Sequence, residues 1–397
     1  MRAARLPAFL AGLLLSLGGG AMAQQFDISG TLGAELGHFF QSPAYPGQRT
    51  DRLAPSATLS LRLRYDFANG RDRLVFSPYL RADSPAGGRA HADLREAYWL
   101  HQGDGWSLTA GIDKVFWGVA ESRNLVDIVN QDDLRENPGA GAKLGQPMLN
   151  LSLYSDWGSF AFYVLPLFRP RDYRDFGARL TGPLPIGDPV YTSPGGRNNV
   201  DFALRWSQNL GSWDLGLSYF RGTGREPRLV LSGPVLVPNY DRIDQIGLDV
   251  QFTSGAWAWK LEAIERGGQG PRFRAATGGF EWTLSGLGGS AVDLGLIAEW
   301  NYDGRDPALA PASWYDNDLF LGGRLALNDF SDTSLLIGAL IDRDTDARIA
   351  LIEGRRRIGE NMMLKIDGAW FSGGAASDPI SLIGRDDFLQ ASLSWFF

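Results

Sequence analysis

The sequence has no cysteine in 397 residues and only three histidines. The first absence excludes disulfides and thiolate-bound metal. The second leaves little for imidazole chemistry. Long apolar runs are missing too: past residue 23 nothing approaches the roughly 20 apolar residues of a membrane helix. No basic tract exists. Lys+Arg number 38 against 45 Asp+Glu, a formal net charge of −7, so nothing gathers to neutralise phosphates, and nucleic acid is excluded as a partner. Linkers and low-complexity segments are also absent. The 50 glycines and 21 prolines are spread along the whole length. A chain of this size usually divides into domains, yet this one reads as a single unit.

What is present starts with an export signature. Arg2 and Arg5 precede an apolar run at 6–17, three glycines and then Ala21-Met22-Ala23. That order predicts a signal peptide over 1–23, with 24–397 as the mature domain. The apolar run is too short to anchor the chain as a helix.

Beyond it, helical periodicity is scarce and a period of two dominates. In 200–220, Val200, Phe202, Leu204 and Trp206 alternate with Asp201, Ala203, Arg205 and Ser207. A short turn at 209–212 leads to Trp213, Leu215, Leu217 and Tyr219, which alternate with Asp214, Gly216 and Ser218. This is a hairpin with one apolar and one polar face. Similar hairpins are expected around turns near 69–70, 103–105, 156–158, 253–256, 285–290, 329–332 and 359–361. The strand at 347–357, "ARIALIEGRRR", alternates poorly, and its facing is not legible.

These turns are short. The segments joining one hairpin to the next are mostly long: 41–54, 84–92, 115–146, 168–198, 221–241, 267–275, 303–317 and 372–386. Eight hairpins, a first strand and a last one give about 18 strands, or 16 if one hairpin is miscounted. The expected fold is all-β: a single transmembrane, antiparallel, up-and-down β-barrel with short periplasmic turns and long extracellular loops. Closure removes the edges that an open sheet of this size would expose. Trp106, Trp157, Trp213 and Trp257 all lie at or beside short turns, as in an aromatic girdle at the lipid boundary.

The final residues, "LQASLSWFF", place Leu389, Ala391, Leu393, Trp395 and Phe397 on one face. A last strand of this kind ending in Phe resembles the assembly signal of Gram-negative outer-membrane barrel proteins. That resemblance implies recognition of 389–397 by the barrel assembly machinery, with outer-membrane lipid as the surrounding partner.

A ring of this size leaves room for water. The polar face supplies Arg62, Arg64, Asp113, Lys114, Arg205, Asp249, Lys260, Glu262, Glu299, Arg324, Lys365 and Asp367 as pore-lining candidates. The segment 115–146 is long and carries Phe116, Trp117, Leu125, Val126, Ile128 and Val129, which are poor residues for bare external water. Loops of this length are usually functional or folded back on something. It is expected to fold into the barrel, with Glu121, Arg123, Asp127, Asp132 and Asp133 lining a constriction. Trp117-Gly118 with Glu121, followed by Asn130-Gln131-Asp132-Asp133, is similar to a motif in a proteobacterial outer-membrane protein family of unknown function.

Catalysis and cofactors find little support. His38, His91 and His101 have no partner at a recognisable spacing. Asp342, Asp344, Asp346 and Glu353 match an EF-hand at four positions, but Ala347 stands where a glycine is needed. Gly139–Gly145, "GAGAKLG", lacks the phosphate-loop spacing. No cofactor and no metal site are expected, and a first strand starting beside the cleavage site leaves no room for a plug domain. The sequence points to a passive, porin-like channel for small solutes and away from an enzyme. A channel for a hydrophobic solute and a plugged adhesive barrel are the alternatives.

Overall fold

The structure is a computed structural model that describes residues 25–138, 141–374 and 378–397. The expected signal peptide lies outside the described residues.

The alternating segments form strands. In chain order these are β1 (Gln25–Phe39), β2 (Leu53–Phe67), β3 (Asp72–Asp83), β4 (His91–Gln102), β5 (Trp106–Asp113), β6 (Gln146–Ser155) and β7 (Gly158–Leu165). A two-residue β8 (Val190–Tyr191) is followed by β9 (Asp201–Leu210) and β10 (Trp213–Thr223). Then come β11 (Arg228–Ser232), β12 (Val235–Tyr240), β13 (Arg242–Ser254), β14 (Trp257–Gly267), β15 (Phe273–Leu284) and β16 (Asp293–Asp303). The chain ends with β17 (Asn317–Ala326), β18 (Ser334–Asp342), β19 (Arg348–Ile358), β20 (Met362–Ser372) and β21 (Phe388–Phe396).

Eighteen of these make one antiparallel sheet in which each strand pairs with the next, β8, β11 and β12 standing apart. The ring closes where β1 pairs with β21, from Thr31↔Phe396 to Phe39↔Phe388. One irregularity interrupts the ladders, a shift at Ser77/Pro78 between β3 and β4. A proline cannot donate to a ladder, and a bulge accommodates it.

The outer face is apolar. On β1, Phe26, Ile28, Leu32 and Leu36 are exposed, while Gly33, Glu35 and Gly37 of the other parity point inward. At the short-turn end the aromatics stack: Trp257 and Trp282 lie 5.3 Å apart at 11°, and Trp395 and Phe397 lie 5.0 Å apart. The last residue is held by two backbone bonds, Gly30 N–H to the Phe397 carbonyl at 2.9 Å and Phe397 N–H to the Gly30 carbonyl at 3.1 Å. A Cβ at residue 30 would sit 2.5 Å from the Phe397 ring. Glycine at that position lets the terminal ring lie flat on the wall.

Two features depart from the expectation. The connections at 168–198 and 221–241 carry structure of their own, a three-stranded sheet of β11, β12 and β8 at the long-loop end. The inner face also has apolar patches. Ile297, Phe320, Leu336 and Leu340 of β16–β18 pack together, with Ile349 and Leu351 of β19 against them. This explains the poor alternation of β19: inward Ile349 and Leu351 sit between outward Ala350 and Ile352, so both faces are apolar at that height.

Candidate functional site

The segment 114–145 leaves β5 at the long-loop end and returns into the barrel. Its apolar side chains Trp117, Leu125, Val126, Ile128 and Val129 are buried, and they meet inward-facing Met148, Tyr163, Leu165, Ala203, Phe220, Ile243 and Ile264. Val126 and Val129 are fully covered, each contributing about 1.5–3 kcal/mol relative to exposure. Trp117 packs edge-on to Tyr163 at 5.6 Å, and Arg205 lies over its ring at 5.2 Å. Phe116 is the exception, at 62% exposure.

A loop inside a barrel has backbone amides that no ladder pairs. Two wall carboxylates supply acceptors. Glu262 on β14 takes four: Val119 N–H at 2.7 Å and Ala120 N–H at 2.9 Å on Oε1, and Leu125 N–H at 2.7 Å and Val126 N–H at 3.2 Å on Oε2. Gly118 adopts φ +99, and a Cβ there would lie 2.6 Å from Glu262 Oε1, so only glycine permits this approach. Glu299 on β16 accepts from Glu121 N–H at 2.8 Å and from the Ser122 N–H and hydroxyl, both at 2.7 Å. Hydrogen bonds to a charged acceptor are roughly twice as strong as neutral ones.

The tip is fixed from other directions as well. Asn301 donates to Ser122 Oγ at 3.0 Å, and the Tyr315 hydroxyl donates to the Ser122 carbonyl at 2.9 Å. Arg123 pairs with Asp303 at 2.7 Å. Glu121 pairs with Arg324 on β17 at 2.7 Å, and both side chains keep substantial exposure. At the root, Asn130 accepts from Val115 N–H at 2.9 Å and donates to the Asp113 and Leu144 carbonyls at 3.0 and 2.9 Å. One amide thereby ties both ends of the loop together. Lys143 pairs with Asp132 at 2.7 Å and Asp127 at 3.4 Å. Burial opposes the charge on this ammonium, but the two carboxylates outweigh it and raise its pKa.

The expected lining residues therefore divide. Glu121 and Asp132 are ion-paired but half-exposed, while Arg123, Asp127 and Asp133 are ion-paired and covered. Their charges serve the loop's packing, with Asp133 held by Arg95 of β4 at 2.7 Å. Glu262, Glu299 and Asp249 are buried beneath or beside the loop. Asp249 takes a two-pronged contact from Arg205, 2.8 Å on each oxygen. Lys260 lies 3.6 Å from Glu281. On the side the loop leaves free, Arg62 pairs with Glu96 and Arg64 with Asp66. Lys365 and Asp367 face inward from β20 there, Lys365 exposed and Asp367 half-buried. Asp113 accepts from Lys114 N–H at 2.8 Å at the end of β5.

Sequence reasoning missed the residues that hold the long-loop end. Arg179, fully buried, donates to Asp386 at 2.5 Å and lies over the Phe39 ring at 4.5 Å. Ile380 and Ile383 of the connection after β20 pack on inward Phe39, Phe371 and Phe388. Arg81 and Arg89 bind Glu35, with Glu136 and Asp83 as further partners. Nothing in the local sequence marks these contacts, because they join strands and loops far apart in the chain.

The histidines are dispersed: His38 is at the loop end of β1, and His91 and His101 are at opposite ends of β4. Glu353 lies mid-strand in β19, away from Asp342 and Asp344, whose carboxylates gather with that of Asp316.

No family model matches the chain, and no curated protein matches it by sequence. Solved structures do. Pseudomonas aeruginosa OccD3 (OpdP) superposes with a TM-score of 0.58 at 10% identity, covering 94% of this chain and 91% of that one. Pseudomonas aeruginosa OccK3 (OpdO) gives 0.57 at 13% identity over 94% and 95% of the two chains. OccK9 (OpdG) of the same organism gives 0.56 at 13% identity, over 94% and 97%. At these identities the shared property is the fold, a closed porin-type barrel.

Proposed function

We propose that the protein is a passive channel of the Gram-negative outer membrane that admits small polar solutes past a constriction formed by segment 114–145. The observation that carries this reading is the loop tip held at mid-height of the barrel by Glu262 and Glu299, which leaves Glu121 and Arg324 facing the free part of the lumen. Charges of both signs on that side give polar solutes fixed partners in a narrow passage. The fold shared with porin-type barrels favours a channel over an enzyme. A hydrophobic-solute pocket is less well supported, because the loop's apolar side chains are mostly used in its own packing. In this reading the short turns are periplasmic, residues 1–23 direct export, and the barrel assembly machinery receives β21.

Planar-bilayer recording tests it. The purified protein should show discrete conductance steps, and removal of 118–140 should enlarge them. Steps of unchanged size in the deletion variant would remove the constriction from the proposal. Silence in both forms would favour a plugged, adhesive barrel.

A further inference from the structure

A sector of the outer wall is densely charged. Outward-facing positions at the loop end of the barrel are elsewhere mostly apolar: Leu53 on β2, Leu80 on β3, Leu149 on β6 and Phe202 on β9 are all exposed. On β10, β13, β14 and β15 the pattern changes. Arg221, Arg242, Asp244, Glu265 and Arg274 occupy the corresponding height, with Arg272 just before β15. Their parity is outward. Phe220, Ile243, Gln245, Ile264 and Phe273, their neighbours along the strands, are buried on the inner side.

The ladders bring them together. Arg221 pairs with Asp244, and Arg242 with Thr223. Glu265 pairs with Ile246 on one side and Arg274 on the other. Directly opposed residues on one face of an antiparallel pair are about 5 Å apart at Cβ, so six ionisable groups cover a compact patch. Arg272 contacts Asp244 at 2.6 Å, and Arg274 contacts Glu265 at 2.9 Å. Such exposed pairs contribute little and can exchange partners. Arg274 is 81% exposed in its side chain even so. Four guanidiniums face two carboxylates, and Arg221 and Arg242 make no ion pair among the described residues.

Immediately toward the turn end the same strands present Tyr219, Ile246, Ala263 and Ala276 to the outside, the start of the apolar belt. The patch therefore looks sideways at headgroup height rather than up into water. A planar guanidinium donates two parallel N–H bonds to phosphate oxygens. We propose that this sector binds the phosphate groups of an outer-leaflet lipid, with the acyl chains lying against the belt below it. The inference rests on the outer-membrane placement above.

The test uses the full-length barrel and a triple variant, Arg221→Gln, Arg242→Gln and Arg274→Gln, with correct folding checked by the heat-dependent gel shift of an intact barrel. Native mass spectrometry is run with diphosphorylated lipid A, with the same lipid stripped of phosphate, and with inorganic phosphate as competitor. The parent should retain lipid A, and the variant should bind it at least about tenfold more weakly. Equal retention of the phosphate-free lipid, unchanged binding by the variant, or full displacement by millimolar inorganic phosphate would each overturn the proposal. Conductance of the folded variant reports separately: the patch faces away from the lumen, so steps should match the parent. A silent parent that still binds lipid A would count against the channel and leave the lipid site standing.

Discussion

Glu262 shows how one buried side chain sets the position of a whole segment. Its two oxygens accept four amides from both arms of the loop tip. Substitution by Ala leaves those donors without partners, at roughly 1–3 kcal/mol each where water cannot enter. The expected outcome for Glu262→Ala is a correctly folded barrel with larger and noisier conductance steps. Glu262→Gln, which keeps one good acceptor, should fall between the variant and the parent. Steps equal to the parent's in the Ala variant would show that the loop is held by its apolar packing alone. A second carboxylate, Glu226 in the connection between β10 and β11, contacts Arg266 at 2.7 Å and Arg305 at 3.2 Å. Burial would raise the Glu226 carboxyl, but Arg305, Arg266, Arg123 and Arg171 hold it well below its ordinary value of 4.5. A carboxylate depressed in the folded state contributes its stability in full above its unfolded pKa and loses it progressively as pH falls from there to the lower folded value. Protease resistance of the loop end should thus persist at pH 4.5 and fail only in stronger acid. The charge of residue 262 was readable in the sequence as an inward position. Its role was not, because a carboxylate that solvates a loop and one that faces water have the same strand parity.

At the scale of the element, alternation was a reliable guide wherever lipid covers one face and water the other. The hairpins at β9–β10 and β13–β14 follow the pattern from their turns as far as Tyr219, Ile246 and Ala263. It failed where the inner face is also dry. Phe320, Leu336, Ile349 and Leu351 are inward and apolar, and no local signal tells such a position from a lipid-facing one. The hairpin of β11 and β12 lies in a connection the pattern does not mark, because "LVLSGPVLV" has no clean period of two. The terminal strand was legible for a physical reason: its aromatic face needs a boundary to rest on. Deleting Phe397 removes both backbone bonds to Gly30 and the ring that lies over it. The variant should accumulate less folded barrel in the outer-membrane fraction, with more unfolded chain in a heat-shift gel. Wild-type yield would mean that the seam from Thr31 to Phe39 suffices without its last pair.

For the whole molecule, closure and charge decide what passes. Eighteen strands joined without an edge give a lumen too wide to fill with wall side chains alone, and under the proposed constriction the loops narrow it. Several charges facing the free part of that passage come as pairs. Arg62 meets Glu96, Arg64 meets Asp66, Glu121 meets Arg324, and Lys365 is followed at the next inward position by Asp367. Opposite charges a few ångströms apart cancel beyond a Debye length of about 8 Å in physiological salt. An ion crossing the bore therefore meets local dipoles and little net potential. Under a tenfold KCl gradient the reversal potential should lie near zero, far from the limit for either ion. Removing one partner exposes the other. Arg324→Gln leaves Glu121 unopposed and should move selectivity toward potassium, whereas Glu121→Gln should move it toward chloride. If both substitutions shifted the reversal potential in the same direction, or neither shifted it, the Glu121–Arg324 pair would not border the conducting path.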